Sequence, residues 1–392
     1  MESVTGGQTK DLPVLALNCG SSSLKFGFYR CGPHAAKLIC EGEAEEIGSP
    51  HSSFWMTLPD GSKRRERIGF SDHAAALAHA LNAADECGAP PPEAVGHRFV
   101  HGGPRIRDHQ RATPAVMEEL RAAVSYAPLH MPAALSILEA ARRKFPDVAQ
   151  IVCLDTAFHR NMPDAAKTFA LPAEVRAMGV ERYGFHGLSI ESVIAQLNAL
   201  PEKLIVAHLG NGASITAIRA GVSIDTTMGF TPTGGVMMGT RCGDLDPGVV
   251  LYLMRQCGAD ADMLEDLLNR RSGLLGVSAK SSDVRDLLKL RKQDAQVDLA
   301  LIMFCYEIRK AIAAMAAALG GIHALIFTGG IGEHATELRS EICSGLAFLG
   351  NFKTSVLSAQ EDLRIATIAA NLAPRPEPRA GVPSGPRQRP SP

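Results

Sequence analysis

The sequence predicts an α/β protein with two related halves, and three observations carry that expectation. First, one hairpin pattern occurs twice. Val14-Leu15-Ala16-Leu17 leads into Asn18-Cys19-Gly20-Ser21-Ser22-Ser23, after which apolar residues return at alternate positions, Leu24, Phe26 and Phe28. About 190 residues later Leu204-Ile205-Val206-Ala207-His208-Leu209 leads into Gly210-Asn211-Gly212, followed by Ala213-Ser214-Ile215-Thr216-Ala217-Ile218. Second, another apolar run, Ala324 to Thr328, enters Gly329-Gly330-Ile331-Gly332. Third, helical stretches separate these strands, such as Ala133 to Lys144 and Val297 to Leu319, where Leu301, Phe304, Cys305, Ile308 and Ile312 recur at helical spacing. Strands alternating with helices imply α/β layers.

At 392 residues the chain is long for one core, which favours two or three domains. A formal net charge of −1 gives no global field to draw in nucleic acid or a membrane surface, so a bound polyanion must be held by local loops and a few placed cations. The nine cysteines lack metal-ligand spacing, and reduced thiols in a cytoplasmic protein are expected. Met1 to Asp11 is polar, without the apolar core of a signal peptide. Ala311 to Phe327, the most apolar region, is broken by Gly320-Gly321 and His323, so it reads as helix then strand and not as a membrane span. Ala373 to Pro392, with seven prolines and four arginines, reads as a disordered extension.

Tight turns of Gly, Ser and Asn expose backbone N–H groups with little side-chain obstruction, a concavity suited to phosphate oxygens. An ordinary hairpin explains either turn alone; two such turns and a third glycine-rich loop favour phosphate binding. Gly330-Ile331-Gly332-Glu333-His334-Ala335 fits a dinucleotide fingerprint, but too little chain follows for a dinucleotide half, so the loop is expected to contact a nucleotide whose phosphates lie on the other two turns. Asp225 to Pro247 holds five glycines and reads as an irregular loop, ended by an Asp246-Pro247 cap for a helix through Arg255. Its single cation is Arg241; a structural ion pair with Asp244 or Asp246 is the competing reading. Arg98 lies in an apolar strand, Asp155 ends another, and His186 sits between Phe185 and Gly187. A lone histidine there is commonly a packed core residue, and Asp155 could equally cap the next turn. Together, phosphate-cradling turns, two arginines, a carboxylate and a histidine are the parts of a metal-assisted phosphoryl transferase.

NCGSSSLKF, GHRFVHGG, APLH, DTAFH, RYGFHG, HLGNGAS, MMGTRCGDLDP, SSDVRD and GGIGEH follow one another as they do in acetate kinases, and the chain resembles that family over roughly residues 12 to 370. The resemblance implies a two-domain actin-like (ribonuclease H-like) ATPase fold of the sugar kinase and Hsp70 type, with a duplicated βββαβαβα core and an interdomain cleft. It places one domain at residues 11–156 plus 362–372, a nucleotide-binding domain at 157–361, and the tail at 373–392. It implies reversible, direct in-line phosphoryl transfer from ATP to acetate, with Mg2+ (Mn2+ as a substitute) and a homodimer. By motif, Asp155, His186 and Arg241 would be catalytic. Arg98, Val100, Leu129, Phe185 and Pro232 would hold the acid. His208, Leu209, Gly210, Asn211, Gly212, Asp283, Val284, Arg285, Gly330, Ile331, Gly332, Glu333 and His334 would bind the nucleotide. Asn18 and Glu361 would organise the metal, and His130 would lie nearby in support.

The chain departs from the family at His334, where asparagine is usual, and at Met131 and Thr367, which stand for asparagine and arginine. The stretch from Leu349 to Leu357 is shorter than the family's by about twenty residues. Propionate or butyrate as the acceptor, and a catalytically impaired nucleotide-binding homologue, are the alternatives. A non-enzymatic nucleotide switch on the same fold is a further rival, and it would lack Arg98, Arg241 and His186 as a set.

Overall fold

The computed structural model describes residues 11–33 and 35–374 and contains two sheets. The first comprises β1 (Leu12–Cys19), β2 (Leu24–Cys31), β3 (Ala36–Glu45), β4 (Ser53–Thr57), β5 (Lys63–Arg67), β6 (Ala94–Phe99), β7 (Gln110–Arg111) and β8 (Ala149–Leu154), in the order β5-β4-β3-β2-β1-β6-β8-β7. The second comprises β9 (Lys203–Leu209), β10 (Ala213–Arg219), β11 (Val222–Thr226), β12 (Ala324–Thr328) and β13 (Lys353–Val356), in the order β11-β10-β9-β12-β13. Without β4, β5 and β7, the sheets share one topology. A central strand is flanked on one side by two antiparallel neighbours and on the other by two parallel ones. The repeated hairpin is thus the local trace of a duplicated sheet.

Strand periodicity decides which helices cover which face. From β1, Leu15 and Leu17 point into one cluster with Leu77, Ala80 and Leu138, which come from helices His73–Glu86 and Met131–Lys144. Val14 and Ala16 point the other way, onto Ile365, Ala366 and Ala369 of helix Glu361–Leu372. The contact is close: a Cβ on Gly96 of β6 would lie 2.6 Å from Ile365 Cγ2, so glycine is needed where the helix crosses. In the second sheet, Leu204 and Val206 pack on Ile190 and Val193 of helix Gly187–Ala195. Ile205 and Ala207 share the opposite cluster with Phe304, Ile308 and Ile312 of helix Ala295–Leu319.

Several boundaries differ from expectation. The helix foreseen from Ala133 starts at Met131, because Pro132 is tolerated in a first turn. Helix Ala295–Leu319 starts at its Asp294 cap, which accepts from the Gln296 and Val297 amides at 2.9 and 3.3 Å. The glycine-rich segment after β12 is a short helix, Gly329–His334, and not a loop. Asp225 and Thr226 close β11, so the irregular segment starts after them. Asp246 caps helix Pro247–Cys257 as expected, and Gly258, at φ 63°, ends it. The shortened stretch keeps a strand, β13, paired in parallel with β12. Most of the Pro/Arg-rich extension, residues 375–392, lies outside the described residues. Among the described residues no helix is long and apolar enough to cross a membrane.

Candidate active site

Asp155, one residue beyond β8, is held by its backbone: its N–H donates to Phe99 O at 2.9 Å, and its carbonyl accepts from Gly187 N at 2.8 Å. This fixes its carboxylate against Arg98 of β6, whose Nη2 and Nε donate to Asp155 Oδ2 at 2.6 and 3.1 Å. Arg98 Nη1 reaches Asn18 Oδ1 at 3.2 Å. Asn18 Nδ2 in turn donates to Glu361 Oε2 at 3.1 Å and Asp362 Oδ1 at 3.0 Å, and Ser189 Oγ donates to Glu361 Oε1. Burial works against the Arg98 charge, but the carboxylates of Asp155 and Glu361 hold the guanidinium above its ordinary pKa. Burial pushes Glu361 up as well, yet Arg98 and the other neighbours hold it below the usual glutamate value.

Of these groups, Arg98 and Asp155 line one side of a cavity of about 340 Å³. The first hairpin tip, Gly20 to Ser23, lines another, and the second tip, through Asn211 and Gly212, faces it. Val100, Phe185 and Pro232 supply the apolar wall. Arg241 projects into it from the long irregular segment. Its Nη1 donates to Pro232 O at 3.2 Å, and among the described residues it has no carboxylate partner. The ion pair weighed from sequence is not formed. Burial, and then Arg98, lower the Arg241 pKa.

His186 begins helix Gly187–Ala195 in the left-handed region, φ 60° and ψ 23°, which turns its ring toward the second hairpin. The ring lies 4.3 Å from that of His208, and Nδ1 is 3.0 Å from Ser214 Oγ. A Cβ on Gly212 would stand 3.2 Å from His186 Nε2 and 3.3 Å from Arg241 Nη1, so the missing side chain leaves the space between them open. Burial, with His208, Arg98 and Arg241, drives the His186 pKa well down, leaving a neutral ring.

A second cavity, about 570 Å³, holds Gly210, Asn211, Asp283, Val284, Arg285, Gly330, Ile331 and His334. Asn211 is common to both, so the second tip joins them. Two predicted nucleotide contacts are otherwise engaged. The Leu209 side chain is buried in the core, leaving only its backbone to offer. The Glu333 carboxylate accepts from Gly329 N and Ala359 N, each at 3.1 Å, and from Ser358 Oγ at 2.7 Å, fixing the helix to the segment before Glu361. His208 presents its ring to His186, and Gly332 packs near Leu209. Leu129 lines a neighbouring space of about 430 Å³, which His130, Pro232 and Arg241 also border, and not the apolar wall beside Arg98.

No cluster of three or more His, Cys, Asp or Glu side chains able to hold a metal ion occurs among the described residues. Asp155 Oδ1, however, is buried and has no hydrogen-bond partner. A free carboxylate oxygen beside a cavity of this size suits a hard divalent cation, which takes carboxylate oxygens together with waters and substrate oxygens. Glu361 and Asn18 stand behind it, linked to Asp155 through Arg98.

His97, His130 and His159 are depressed to about 4, by burial in each case and additionally by Arg241 and Arg98 at His130. The unfolded chain therefore binds protons that the folded chain does not once pH falls through about 6.5. Stability is present above that value and is lost toward 4, by at most about 1.4 kcal/mol per pH unit for each histidine. Urea unfolding at about pH 7.5 and about 5.5 is expected to show the loss. His97→Gln should make it shallower, and a flat profile contradicts the assignment.

Sequence reading missed Asp362, Ser189 and Ser214. Ser214 stands inside HLGNGAS, so its motif offered a signal; Ser189 offered none.

The family model described as the Acetokinase family matches residues 13–367. An acetate kinase of Rhodopseudomonas palustris (strain TIE-1) is 46% identical over 352 residues, covering 86% of this chain and 87% of that protein. The structure of an acetate kinase from Porphyromonas gingivalis superposes with a TM-score of 0.83 at 35% identity, over 92% of this chain and 99% of that one. A propionate kinase from Francisella tularensis superposes with a TM-score of 0.87 at 33% identity, over 92% and 100%.

Proposed function

The chain belongs to the acetokinase family, of actin-like ATPase fold, and from that membership we propose that it transfers the γ-phosphoryl group of ATP reversibly to acetate, giving acetyl phosphate and ADP. The observation that carries the reading is Arg241, a half-buried cation that among the described residues has no anionic partner, facing a neutral histidine across the gap left by Gly212. A buried charge needs a counter-ion, and a carboxylate meeting a phosphoryl group supplies one.

Chemistry follows from the charges. A short-chain acid with a pKa of roughly 4–5 is ionised at neutral pH, so no general base is needed. The acid's oxygen forms the new bond to the γ-phosphorus as the bond to the bridging oxygen breaks, and ADP leaves with that electron pair. Arg241 balances charge on the equatorial oxygens. With Ser214 donating to Nδ1, His186 carries its proton on Nε2, where it donates to the same group. Arg98, engaged by Asp155 and Asn18, orients the carboxylates and contributes field. Asp155 Oδ1, with Glu361 and Asn18 behind it, would hold a Mg2+ ion, which would supply charge neutralisation at the phosphates. Val100, Phe185 and Pro232 would meet the methyl group. The nucleotide would extend from the Asn211 tip over Asp283 to Arg285 and Gly330 to His334. The two sheets support the division at 11–156 plus 362–372 and 157–361.

The Francisella relative gives the propionate reading its footing, since one methylene changes discrimination by only about 1–3 kcal/mol. Hydroxamate formation with MgATP, hydroxylamine and acetate, propionate or butyrate tests the choice. Turnover strongest with acetate supports the proposal; MgATP binding without turnover of any acid overturns it.

A homodimer is proposed as well. Helix Pro247–Cys257 has no buried residue and exposes Leu251, Tyr252 and Met254, while helix Ala295–Leu319 exposes Leu299, Ile302 and Tyr306. Exposed apolar side chains in such number mark an interface. Tyr252→Glu with Leu251→Glu is expected to shift the sedimenting species from two chains to one; an unchanged mass removes this helix from the interface.

A further inference from the structure

Three elements deliver Asp155, His186 and Glu361, and one side chain outside the cavity ties all three together. Glu191 lies on helix Gly187–Ala195, which starts at His186. Its Oε1 is 3.3 Å from His109 Nε2, and its Oε2 accepts from Arg364 Nε at 2.8 Å. His109 Nδ1 in turn accepts from the Leu154 amide at 3.0 Å, immediately before Asp155. That amide fixes the tautomer: Nδ1 is the acceptor, so Nε2 carries the proton and donates to Glu191. Arg364 belongs to helix Glu361–Leu372, one turn after Glu361.

One carboxylate therefore sets the strand end bearing Asp155, the helix start bearing His186 and the helix start bearing Glu361. Two further contacts join the same helices: Ser189 Oγ to Glu361 Oε1, and Gln360 N to Ser192 Oγ at 3.0 Å. The first sets a neutral hydroxyl on the Glu361 carboxylate, and the second joins two neutral groups. Glu191 is the carboxylate that an arginine of the facing helix engages, with its side chain only 11% exposed. Burial pushes its pKa up, but His109 and Arg364 hold it below the usual glutamate value. The chain joins Glu191 and Arg364 across 173 positions, so no local geometry imposes the pair.

We propose that Glu191 is a positioning residue for phosphoryl transfer, holding Asp155, His186 and Glu361 in their mutual geometry through His109 and Arg364; this rests on the activity proposed above. A side chain that acts on the carboxylates around a metal, and not on the acid, separates its kinetic effects. Glu191→Gln is expected to lower kcat by about tenfold or more, as partners behind metal ligands generally do. KM for acetate should stay within about twofold, because Arg241 and the apolar wall are untouched. The Mg2+ concentration for half-maximal rate should rise by about threefold or more. The extra stabilisation that Mg2+ gives the ADP complex in a thermal melt should shrink in parallel. Arg364→Met, at a side chain that is 29% exposed, should repeat the pattern more weakly, and Arg364→Lys should recover most of it.

The Arg364 variants keep the test open if Glu191→Gln fails to fold. Lower melting temperatures with wild-type kcat and Mg2+ dependence would make the cluster a structural clamp and overturn the proposal. An inactive wild-type enzyme would remove the activity on which it rests. An active wild type with unaltered variants would remove the positioning role alone.

Discussion

Arg241→Ala is expected to lower turnover by about 10³-fold or more while leaving the protein as stable as before, or slightly more so. The loss follows from the transition state: charge spreads over the equatorial oxygens of the transferring group, and a guanidinium placed there contributes on that scale in phosphoryl transfer. The stability effect follows from the partners. Arg241 donates to a carbonyl oxygen and has no carboxylate beside it among the described residues, while Arg98 repels it. Folding without ligand therefore confines a cation that only substrate can neutralise. Removing it relieves that cost. Hydroxamate production and urea unfolding of the same preparation check both halves. Activity within about tenfold of wild type would place Arg241 outside the chemistry. A loss of stability matching the loss of activity would mean its contacts to Pro232 O at 3.2 Å and Met238 Sδ at 3.8 Å are structural.

The sequence displayed the hairpins because their determinants are local. Alternating apolar residues and a small polar tip lie within about a dozen positions. The Asp246-Pro247 start was readable for the same reason. What failed was the segment after β12, where three glycines and an isoleucine suggested a loop. Gly329 does take a left-handed φ of 78°, but Glu333 then accepts from its N–H and the segment coils into a helical turn. The β4–β5 hairpin gave little warning, because Lys63–Arg67 is charged at every position and pairs only at the sheet edge.

The site shows a similar divide. Motifs assembled Arg98, Asp155, His186 and Arg241, and the fold brings them to one cavity. Leu129 was grouped with the apolar wall but lines the adjoining space. The junction itself could not be read. Asn18 meets Glu361 across 343 positions, and an apolar stripe on helix Glu361–Leu372 does not say which sheet it covers. That the helix returns to the first sheet, carrying Glu361 and Arg364 toward groups from both halves, is a tertiary fact.

Asp155→Ala is expected to act on stability with the opposite sign to Arg241→Ala. Among the described residues, Asp155 Oδ2 is the one carboxylate oxygen that Arg98 contacts directly, through two nitrogens, and the acid's side chain is 2% exposed and the arginine's 19%. Deleting the acid leaves a guanidinium held by neutral Asn18 Oδ1, with Glu361 acting only through space. Removing one partner of a buried pair costs about 3–5 kcal/mol. Asp155→Asn retains an oxygen for Arg98 but not the charge, so its loss of stability should be smaller. Activity should fall in both variants by about 10²-fold or more, because the free oxygen Oδ1 loses the charge that suits it to a divalent cation. Combining Asp155→Ala with Arg98→Met should cost less stability than the two single changes added together, since no charge is then stranded. If Asp155→Ala proves no less stable than Arg241→Ala, the ion pair contributes nothing to the fold. If Asp155→Asn keeps wild-type activity and Mg2+ dependence, Oδ1 does not serve the metal, and Glu361 must do so without it.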